Sequence, residues 1–377
     1  IRGFSEIGII LIMFALGFEE DTNHFVQGMK RSWGIALFGA LAPFAIAYYT
    51  TFYFWQDANL SVMCALAMTA TAVSLTMVSL KSEKLQNTEA STGIMTSAIM
   101  DDIAALAAVA ILVPIATGEA EVSAIGIFII ISKAVAFFLL ITLMELLIFP
   151  HHSRLVLFHK LPLIRNFGIK HFISFGKGEQ ATLAVLLVAL LIALLSYEFG
   201  FHPAVGAYMA GLIIKQEYFQ PNEDPDIDQY NQTKKIVDNV AFSWIGPVFF
   251  VELGTKIVFD QSILFAVIPQ IAVLTAGILI GQILSACLAA KFTGNYQWHE
   301  SILIGLGMLG RAELAFVVMD IGYVQNSIIT TEAFYTLMAT AFVLNVTVPV
   351  SIKLWKPFFE GSKQLKIGSI QLSKPED

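Results

Sequence analysis

Two adjacent carboxylates, Asp101 and Asp102, lie in the middle of an apolar stretch, SAIMDDIAALAAVA. Successive residues of a helix point about 100° apart, so the two side chains face different directions. Two carboxylates this close do not both ionise cheaply in a low dielectric, so their site holds protons or a cation but not readily both. The pair therefore predicts coupled binding of protons and a monovalent cation. An Asp that caps a broken helix end is the structural alternative, although a cap needs one acid.

Hydroxyl side chains are concentrated in MTATAVSLTMVS, residues 68–79, where Thr69, Thr71 and Ser74 are the candidate ligands. Hydroxyls that bond back to carbonyls bend helices. An unwound stretch also frees carbonyl oxygens for a dehydrated cation. We therefore predict a cation site here, with ordinary packing of small residues between helices as the alternative.

Glycines and charges meet in GLGMLGRAELAF, residues 305–316. The glycines favour a helix break, and Arg311 and Glu313 just beyond it would neutralise the ends of half-helices. A glycine-lined helix contact with a structural ion pair is the alternative. Two interrupted spans, one in each half of the chain, indicate an inverted-repeat transporter with its site near the membrane midplane.

Three more polar residues, Lys133, Glu252 and Gln282, fall inside apolar stretches. An ionisable group in a membrane span costs several kcal/mol unless it is paired or hydrated. Lys133 and Glu252 are therefore functional candidates by default, and Gln282 is a neutral polar addition to them.

The elements that must position these residues are membrane-spanning helices. Of the 377 residues, 56% are hydrophobic and only 14% are charged, and the mean hydropathy is +0.73. Runs of about 20 apolar residues, enough to cross a bilayer core, recur along the chain. The predicted spans are 4–18, 34–55, 60–80, 88–117, 123–149, 180–198, 202–215, 240–256, 263–290, 299–322 and 332–354. The composition indicates an all-α membrane protein without a nucleic-acid partner or a disulfide framework.

The basic residues predict the orientation of these spans. With alternating loops assigned to one side, 18 of the 22 Lys and Arg residues share that side. The positive-inside rule then places the C-terminus, about 355–377, in the cytoplasm. Residues 150–179 are basic and are predicted to lie on the anionic inner leaflet, with a regulatory site as the alternative.

Six motifs in this order resemble the cation/proton antiporter superfamily. They are FSEIGIILIMFALGFEED, TATAVSLT, SAIMDDIAA, HPAVGAYMAGLII, GPVFFVELGTKI and GLGMLGRAELAF. The similarity is to the branch of NapA-like sodium/proton antiporters, related to Kef-type potassium/proton antiporters. It covers essentially the whole chain and implies that about eleven of an expected thirteen spans are present, so the sequence is expected to start inside a longer protein.

The resemblance implies a single transmembrane antiporter domain, 1–377, that forms a homodimer in membrane lipid. Its core is expected at about 60–117 and 240–322, with two crossed, interrupted helices at Thr69–Ser74 and Gly307–Glu313. Asp102 matches the carboxylate that carries the cation and the proton, and Asp101 matches its supporting neighbour. The expected function is alternating-access exchange of sodium, or another monovalent cation, for protons in pH homeostasis. The expected location is the bacterial inner or plasma membrane, with no enzyme activity and no cofactor beyond the transported ions; a regulatory partner is left open.

One position departs from the family pattern. Where an intramembrane lysine is expected, the chain reads Gly281-Gln282-Ile283-Leu284. Gln282 carries no exchangeable proton, so the sequence predicts electroneutral, one-for-one exchange. Lys133 is a candidate substitute for the missing cation, and a snorkelling lysine is the alternative.

Other function classes fit less well. Potassium/proton exchange of the Kef type stays open, although Asp-Asp favours the sodium branch over the Gln-Asp of Kef-type proteins. An intramembrane aspartyl protease needs two Asp residues that face each other from separate helices, which adjacent Asp101 and Asp102 do not provide. A channel needs a continuous polar stripe, whereas the polar residues here gather at one depth.

Overall fold

The computed structural model describes a helical protein. The described residues are 2–19, 22–118, 124–147, 173, 180–219, 228–255, 260–311, 313–367 and 370–374. In chain order the α-helices are α1 Arg2–Glu19, α2 Thr22–Trp55, α3 Ala58–Ala67, α4 Val73–Ser82, α5 Glu89–Ala116, α6 Ala124–Leu147, α7 Ala181–Glu198, α8 Pro203–Ile213, α9 Gln229–Asp238, α10 Gly246–Thr255, α11 Gln261–Ala266, α12 Ile268–Phe292, α13 Trp298–Gly307, α14 Glu313–Met319 and α15 Thr331–Phe359. Shorter elements are a 3-10 turn, Gln216–Tyr218, and π-helical turns at Asn239–Trp244 and Asp320–Gln325.

The chain divides into two compact units. Unit 1 comprises Ile1–Asp21 and Gly118–Ile257, and unit 2 comprises Thr22–Thr117 and Val258–Asp377. In unit 1, α1 packs on α8 and α10, and α7 packs on α8. A side chain at Gly17 would collide with the backbone of Tyr208, so glycine allows α1 and α8 to approach closely.

Unit 2 contains two sets of helices with matching internal contacts. The first triplet is α2, the pair α3–α4, and α5; the second triplet is α12, the pair α13–α14, and α15. In the first triplet α2 packs on α3 and α5, while α3 packs on α5. In the second triplet α12 packs on α13 and α15, while α13 packs on α15. Contact between α2 and α12 joins the two sets.

Side-chain caps fix where the helices of unit 2 begin. The carboxylate of Asp57 accepts hydrogen bonds from the N–H groups at the start of α3. Thr88 and Thr330 do the same with their hydroxyls for α5 and α15. A helix start leaves backbone donors unpaired, and these side-chain oxygens satisfy some of them. The third helix of each triplet is thus set by the same kind of threonine cap.

Five of the described helical stretches are long and apolar enough to cross a membrane. They are Lys30–Trp55, Glu89–Ala116, Ala181–Glu198, Ile268–Phe292 and Thr331–Phe359. Predicted spans 60–80 and 299–322 are each interrupted, because α3 stops at Ala67 and α13 stops at Gly307. Two other predicted spans are divided differently from expectation: 240–256 contains a π-helical turn before α10, and 263–290 is split by a turn at Val267.

One boundary differs from its prediction, and one element was not predicted. α2 begins at Thr22 and not near residue 34, because its helical backbone continues beyond the apolar run. After α15 the chain forms a small antiparallel hairpin, β1 Lys366–Ile367 with β2 Ile370–Gln371, so the protein is helical except for this hairpin. The predicted leaflet-binding segment, 150–179, lies outside the described residues except for Ile173.

Candidate ion-binding site

The two helix interruptions of unit 2 touch each other through hydrogen bonds to backbone carbonyls. The N–H of Ala72, after α3, donates to the carbonyl of Gly310, after α13, at 3.0 Å. The hydroxyl of Thr76 donates to the carbonyl of Gly307 at 2.7 Å. A Cβ added at Gly310 would lie 2.9 Å from the Cβ of Ala72, so the close approach requires a glycine. The prediction of two interrupted helices is confirmed in these residues.

Asp101 and Asp102 lie on α5, whose N-terminal half packs beside α13. Asp101 is fully buried, with 0% of its surface exposed, whereas Asp102 is half-buried. The two carboxylates therefore differ in environment. This agrees with the angle of about 100° between successive side chains of a helix. The carboxylate of Asp101 lies against the hydroxyl and backbone of Thr71 and within electrostatic range of Arg311.

Several buried polar atoms of Asp101, Arg311 and the residues beside them have no hydrogen-bond partner among the described groups. They are both carboxylate oxygens of Asp101, the hydroxyl of Thr71, Nε of Arg311 and the amide nitrogen of Gln282. Thr71 thus lies next to Asp101 without the geometry of a hydrogen bond to it. Buried polar atoms are normally satisfied by protein, water or an ion. This set provides carboxylate and hydroxyl oxygens, the atoms that coordinate hard monovalent cations.

Arg311 is the largest fully buried side chain of the described protein. Nη1 donates to the carbonyl of Gly310 at 2.9 Å and to that of Met308 at 3.2 Å. Nη2 donates to Oε1 of Gln282 at 3.1 Å. The guanidinium thereby pairs with carbonyls freed by the interruption, while its charge faces Asp101. Charge and hydrogen bonds together compensate for burying a cation.

Gln282 is fully buried on α12 and contacts Arg311 directly. Its amide also lies beside Gly39 of α2, where an added Cβ would be 3.5 Å from Nε2. The position where a lysine was expected therefore contributes an uncharged acceptor to an arginine. This arginine belongs to the second interruption, whereas Gln282 lies on α12.

The remaining predicted ligands are not all brought together. Thr69 is buried and donates to the carbonyl of Ala65 at 2.7 Å, which is a bond within its own helical turn. Ser74 is on α4 and Glu313 begins α14, but both side chains lie outside the described residues. Thr71 is the predicted hydroxyl that the structure places against Asp101.

Glu252 and Lys133 belong to unit 1, whereas Asp101, Gln282 and Arg311 belong to unit 2. Glu252 is half-buried on α10, and its Oε2 has no partner among the described groups. Lys133 is exposed on α6. The cation that faces Asp101 within unit 2 is thus Arg311, and the suggested role of Lys133 stays a prediction.

Sequence reasoning missed Asn345, in the middle of α15. Its Oδ1 accepts a hydrogen bond from the backbone N–H of Arg311, and its Nδ2 donates to the carbonyl of Arg311, both at 2.7 Å. The signal was present, because Asn345 is a polar residue inside the predicted span 332–354, four positions before Pro349.

A buried arginine and aspartate at two touching helix breaks, in a chain of long apolar helices, define an integral membrane protein of the secondary-transporter class. A sequence model described as "Sodium/hydrogen exchanger, transmembrane" matches residues 1–355. The chain belongs to this family, and the predicted membership of the cation/proton antiporter superfamily is confirmed.

Named relatives agree with this assignment. The chain is 24% identical to the Na(+)/H(+) antiporter of Enterococcus hirae over 360 residues, covering 94% of this chain and 84% of that protein. It is 25% identical to the Na(+)/H(+)-K(+) antiporter GerN of Bacillus cereus over 353 residues, covering 93% and 81%. The solved sodium proton antiporter MjNhaP1 of Methanocaldococcus jannaschii matches with a TM-score of 0.60 at 17% identity, covering 93% of this chain and 82% of that one. This last likeness shows the fold.

Proposed function

We propose that the protein is a secondary active antiporter that exchanges Na+ for H+ by alternating access at Asp101 and Asp102. The observation that carries the proposal is the burial of Asp101 against Thr71 and Arg311 at the contact between the two interruptions. Half-buried Asp102, one residue on, is the proposed carrier of the cation or the proton. Asp101, Thr71, Thr69 and Ser74 are proposed to complete the site.

Competition at one carboxylate couples the two fluxes. A cation and a proton both neutralise the charge of Asp102, and binding one removes the favourable interaction with the other. Neutralising the carboxylate also lowers the cost of exposing the site to the other side of an apolar barrier. The exchanger therefore changes its accessible side only when it is loaded.

The test is proton flux in proteoliposomes that contain a pH-sensitive dye, with Na+, Li+ or K+ added outside. The wild type is expected to move protons when Na+ is added, and Asp102→Asn is expected to abolish this response. Asp228→Asn is the matched control, since Asp228 is exposed and asparagine also caps helices well. Na+-driven proton flux that survives Asp102→Asn would overturn the proposal.

Potassium/proton exchange is the second candidate. It is favoured by the relative GerN, whose name includes K+. The three cations in the same assay distinguish the two functions, because a K+ response without a Na+ response assigns the protein to potassium/proton exchange.

The two triplets of unit 2 support an inverted repeat. Each has an interrupted middle helix, and the internal contacts of the two sets match. We propose that unit 2 is the body that carries the ions and that unit 1 contains the dimerisation helices. Of the predicted core, about 60–117 and 240–322, residues 240–257 belong to unit 1, and unit 2 also contains 22–59 and 323–377. Cysteine cross-linking within the membrane tests for the homodimer.

The proposed exchange is one-for-one and electroneutral. Gln282 has no proton to give, and Arg311 keeps its proton at physiological pH because a guanidinium is not deprotonated in proteins. Neither residue supplies a second exchangeable proton beside the carboxylates. An imposed membrane potential is therefore expected to leave the exchange rate unchanged, and a rate that follows the voltage would contradict this stoichiometry.

Ion pairs within unit 2 support the loop assignment on which the proposed orientation rests. Arg31 near the start of α2 pairs with Glu89 at the start of α5, at 3.1 Å. Lys356 near the end of α15 pairs with Glu83 after α4, at 3.3 Å. Each pair joins segments that the loop assignment places on the same side. We propose that this side, which includes the C-terminus, faces the cytoplasm of a bacterial cell, where the exchanger contributes to pH homeostasis.

A further inference from the structure

Asn345 closes the backbone of the second interruption. The N–H and the carbonyl of Arg311 lie outside the helical hydrogen-bond ladder, and both pair with the side-chain amide of Asn345 at 2.7 Å. In an apolar environment each of these backbone groups needs a partner. One side chain of α15 thus provides both.

The first triplet has a matching arrangement. Thr71 is the fourth residue after the end of α3, and Arg311 is the fourth residue after the end of α13. Asp101, on the third helix of the first triplet, lies against the backbone and hydroxyl of Thr71. Asn345, on the third helix of the second triplet, binds the backbone of Arg311. Asn345 therefore takes the place that Asp101 has in the other half.

We propose that Asn345 is a positioning residue for cation binding, which acts by holding the backbone of Arg311 so that its guanidinium faces Gln282 and Asp101. This inference rests on the antiporter function proposed above. The amide is uncharged, so the carboxylates come from the first triplet and the fixed positive charge comes from the second. The second triplet has an amide, Asn345, where the first has a carboxylate. The amide still binds the backbone of Arg311, and the charge of Arg311 stays directed at Asp101.

Asn345 lies on α15 just before Pro349, so its two bonds to Arg311 connect the interruption to a part of α15 that lacks one helical hydrogen bond. Pro349 has no N–H, so the carbonyl of Asn345 receives no hydrogen bond from the helix turn that follows. A helix lacking this bond is less rigidly defined at that turn. The two bonds to Arg311 then help to set the distance between α15 and the interruption at this level.

The experiment compares purified variants in proteoliposomes by the KM for Na+ and the maximal rate. Asn345→Ala is expected to raise KM about tenfold, because Arg311 is no longer held, while the maximal rate changes less than KM does. Asn345→Gln retains the amide donor and the amide acceptor and is expected to recover part of the lost affinity. Val346→Ala is the matched control on the same helix, since Val346 is exposed, and should keep the wild-type KM.

The outcomes separate the two proposals. Absence of Na+/H+ exchange in the wild type removes the proposed function itself. Exchange by the wild type together with an unchanged KM in Asn345→Ala overturns only the role of Asn345, as does an equal rise in KM in Val346→Ala. If Asn345→Ala does not fold, Asn345→Leu retains the volume without the amide, and a wild-type KM in that variant overturns the inference.

Discussion

Nη2 of Arg311 donates a hydrogen bond to Oε1 of Gln282 at 3.1 Å. The bond connects the second interruption to α12 at the position where the sequence resemblance predicts a lysine. A lysine there would face the guanidinium of Arg311, and two buried cations at hydrogen-bond distance repel each other strongly. A neutral amide and a fixed arginine are therefore mutually compatible at this site.

Replacing Gln282 removes this acceptor. Gln282→Leu is expected to destabilise the protein by about 2 kcal/mol, because a buried charged group loses a hydrogen bond. Leu284→Ala is the control on the same helix, since Leu284 is 55% exposed and faces away from the site. Thermal unfolding in detergent measures both variants, and equal melting temperatures for them would contradict the role given to the amide.

Replacing Arg311 with lysine tests the geometry of the guanidinium at constant charge. Arg311→Lys is expected to lower the exchange rate about tenfold or more. The planar guanidinium donates to Met308, Gly310 and Gln282 at once, and the compact ammonium of lysine does not reach all three. Arg31→Lys is the matched control, because the Arg31 side chain is 45% exposed. Dye-based exchange assays compare the two, and an unimpaired Arg311→Lys protein would mean that charge alone is sufficient.

Gly310 and Gly39 offer a paired test of steric fit. A methyl group at Gly310 would lie 2.9 Å from the Cβ of Ala72, whereas one at Gly39 meets nothing closer than 3.5 Å. Gly310→Ala is therefore expected to force the interruptions apart, at a cost of about 1–3 kcal/mol, and to impair exchange. Gly39→Ala should be tolerated. Stability and exchange measurements that rank the two variants in the opposite order would contradict this geometry.

Arg31 has more partners than Glu89. Its guanidinium pairs with Glu89 at 3.1 Å, donates to the carbonyl of Gly294 at 3.0 Å and lies 4.2 Å from the ring centre of Tyr296. Arg31→Ala is expected to cost about 1–2 kcal/mol, and Glu89→Ala about 0.5 kcal/mol or less.

Salt separates these contributions. The pair with Glu89 is exposed and should weaken with ionic strength, whereas the contacts with Gly294 and Tyr296 are screened less. Melting temperatures at low and high salt measure this difference. An Arg31→Ala effect that disappears entirely in high salt would show that the exposed ion pair accounts for all of it.

The sequence allowed the two interruptions to be located, because hydroxyls at 68–79 and glycines at 305–310 both weaken helices locally. It also identified Asp101 and Arg311 as charges that need partners. It did not identify the partner of either residue, since Gln282 is 29 positions from Arg311 and only folding brings them together. Asn345 was missed for a related reason, since its two backbone partners belong to Arg311, 34 positions away in the chain.

The ends of a helix were predictable where they coincide with the ends of an apolar run, and not elsewhere. α8, Pro203–Ile213, agrees with the predicted span 202–215 because His202 caps the helix just before Pro203. The start of α2 at Thr22 was missed because hydropathy shows which residues can lie in a membrane and not where a helix begins. Residues 366–371 contain no apolar run, so hydropathy did not predict their short strands.

The hydroxyl of Thr76 and the carbonyl of Gly307 are 231 residues apart in the chain. Synthesis proceeds from the N-terminus, so the first interruption enters the membrane long before its partner exists. Until then its free backbone groups must be paired with water or with other protein, because lipid offers neither donors nor acceptors. A ribosome-bound chain that ends before the second interruption therefore still lacks the carbonyls that pair with Thr76 and Ala72 in the finished protein.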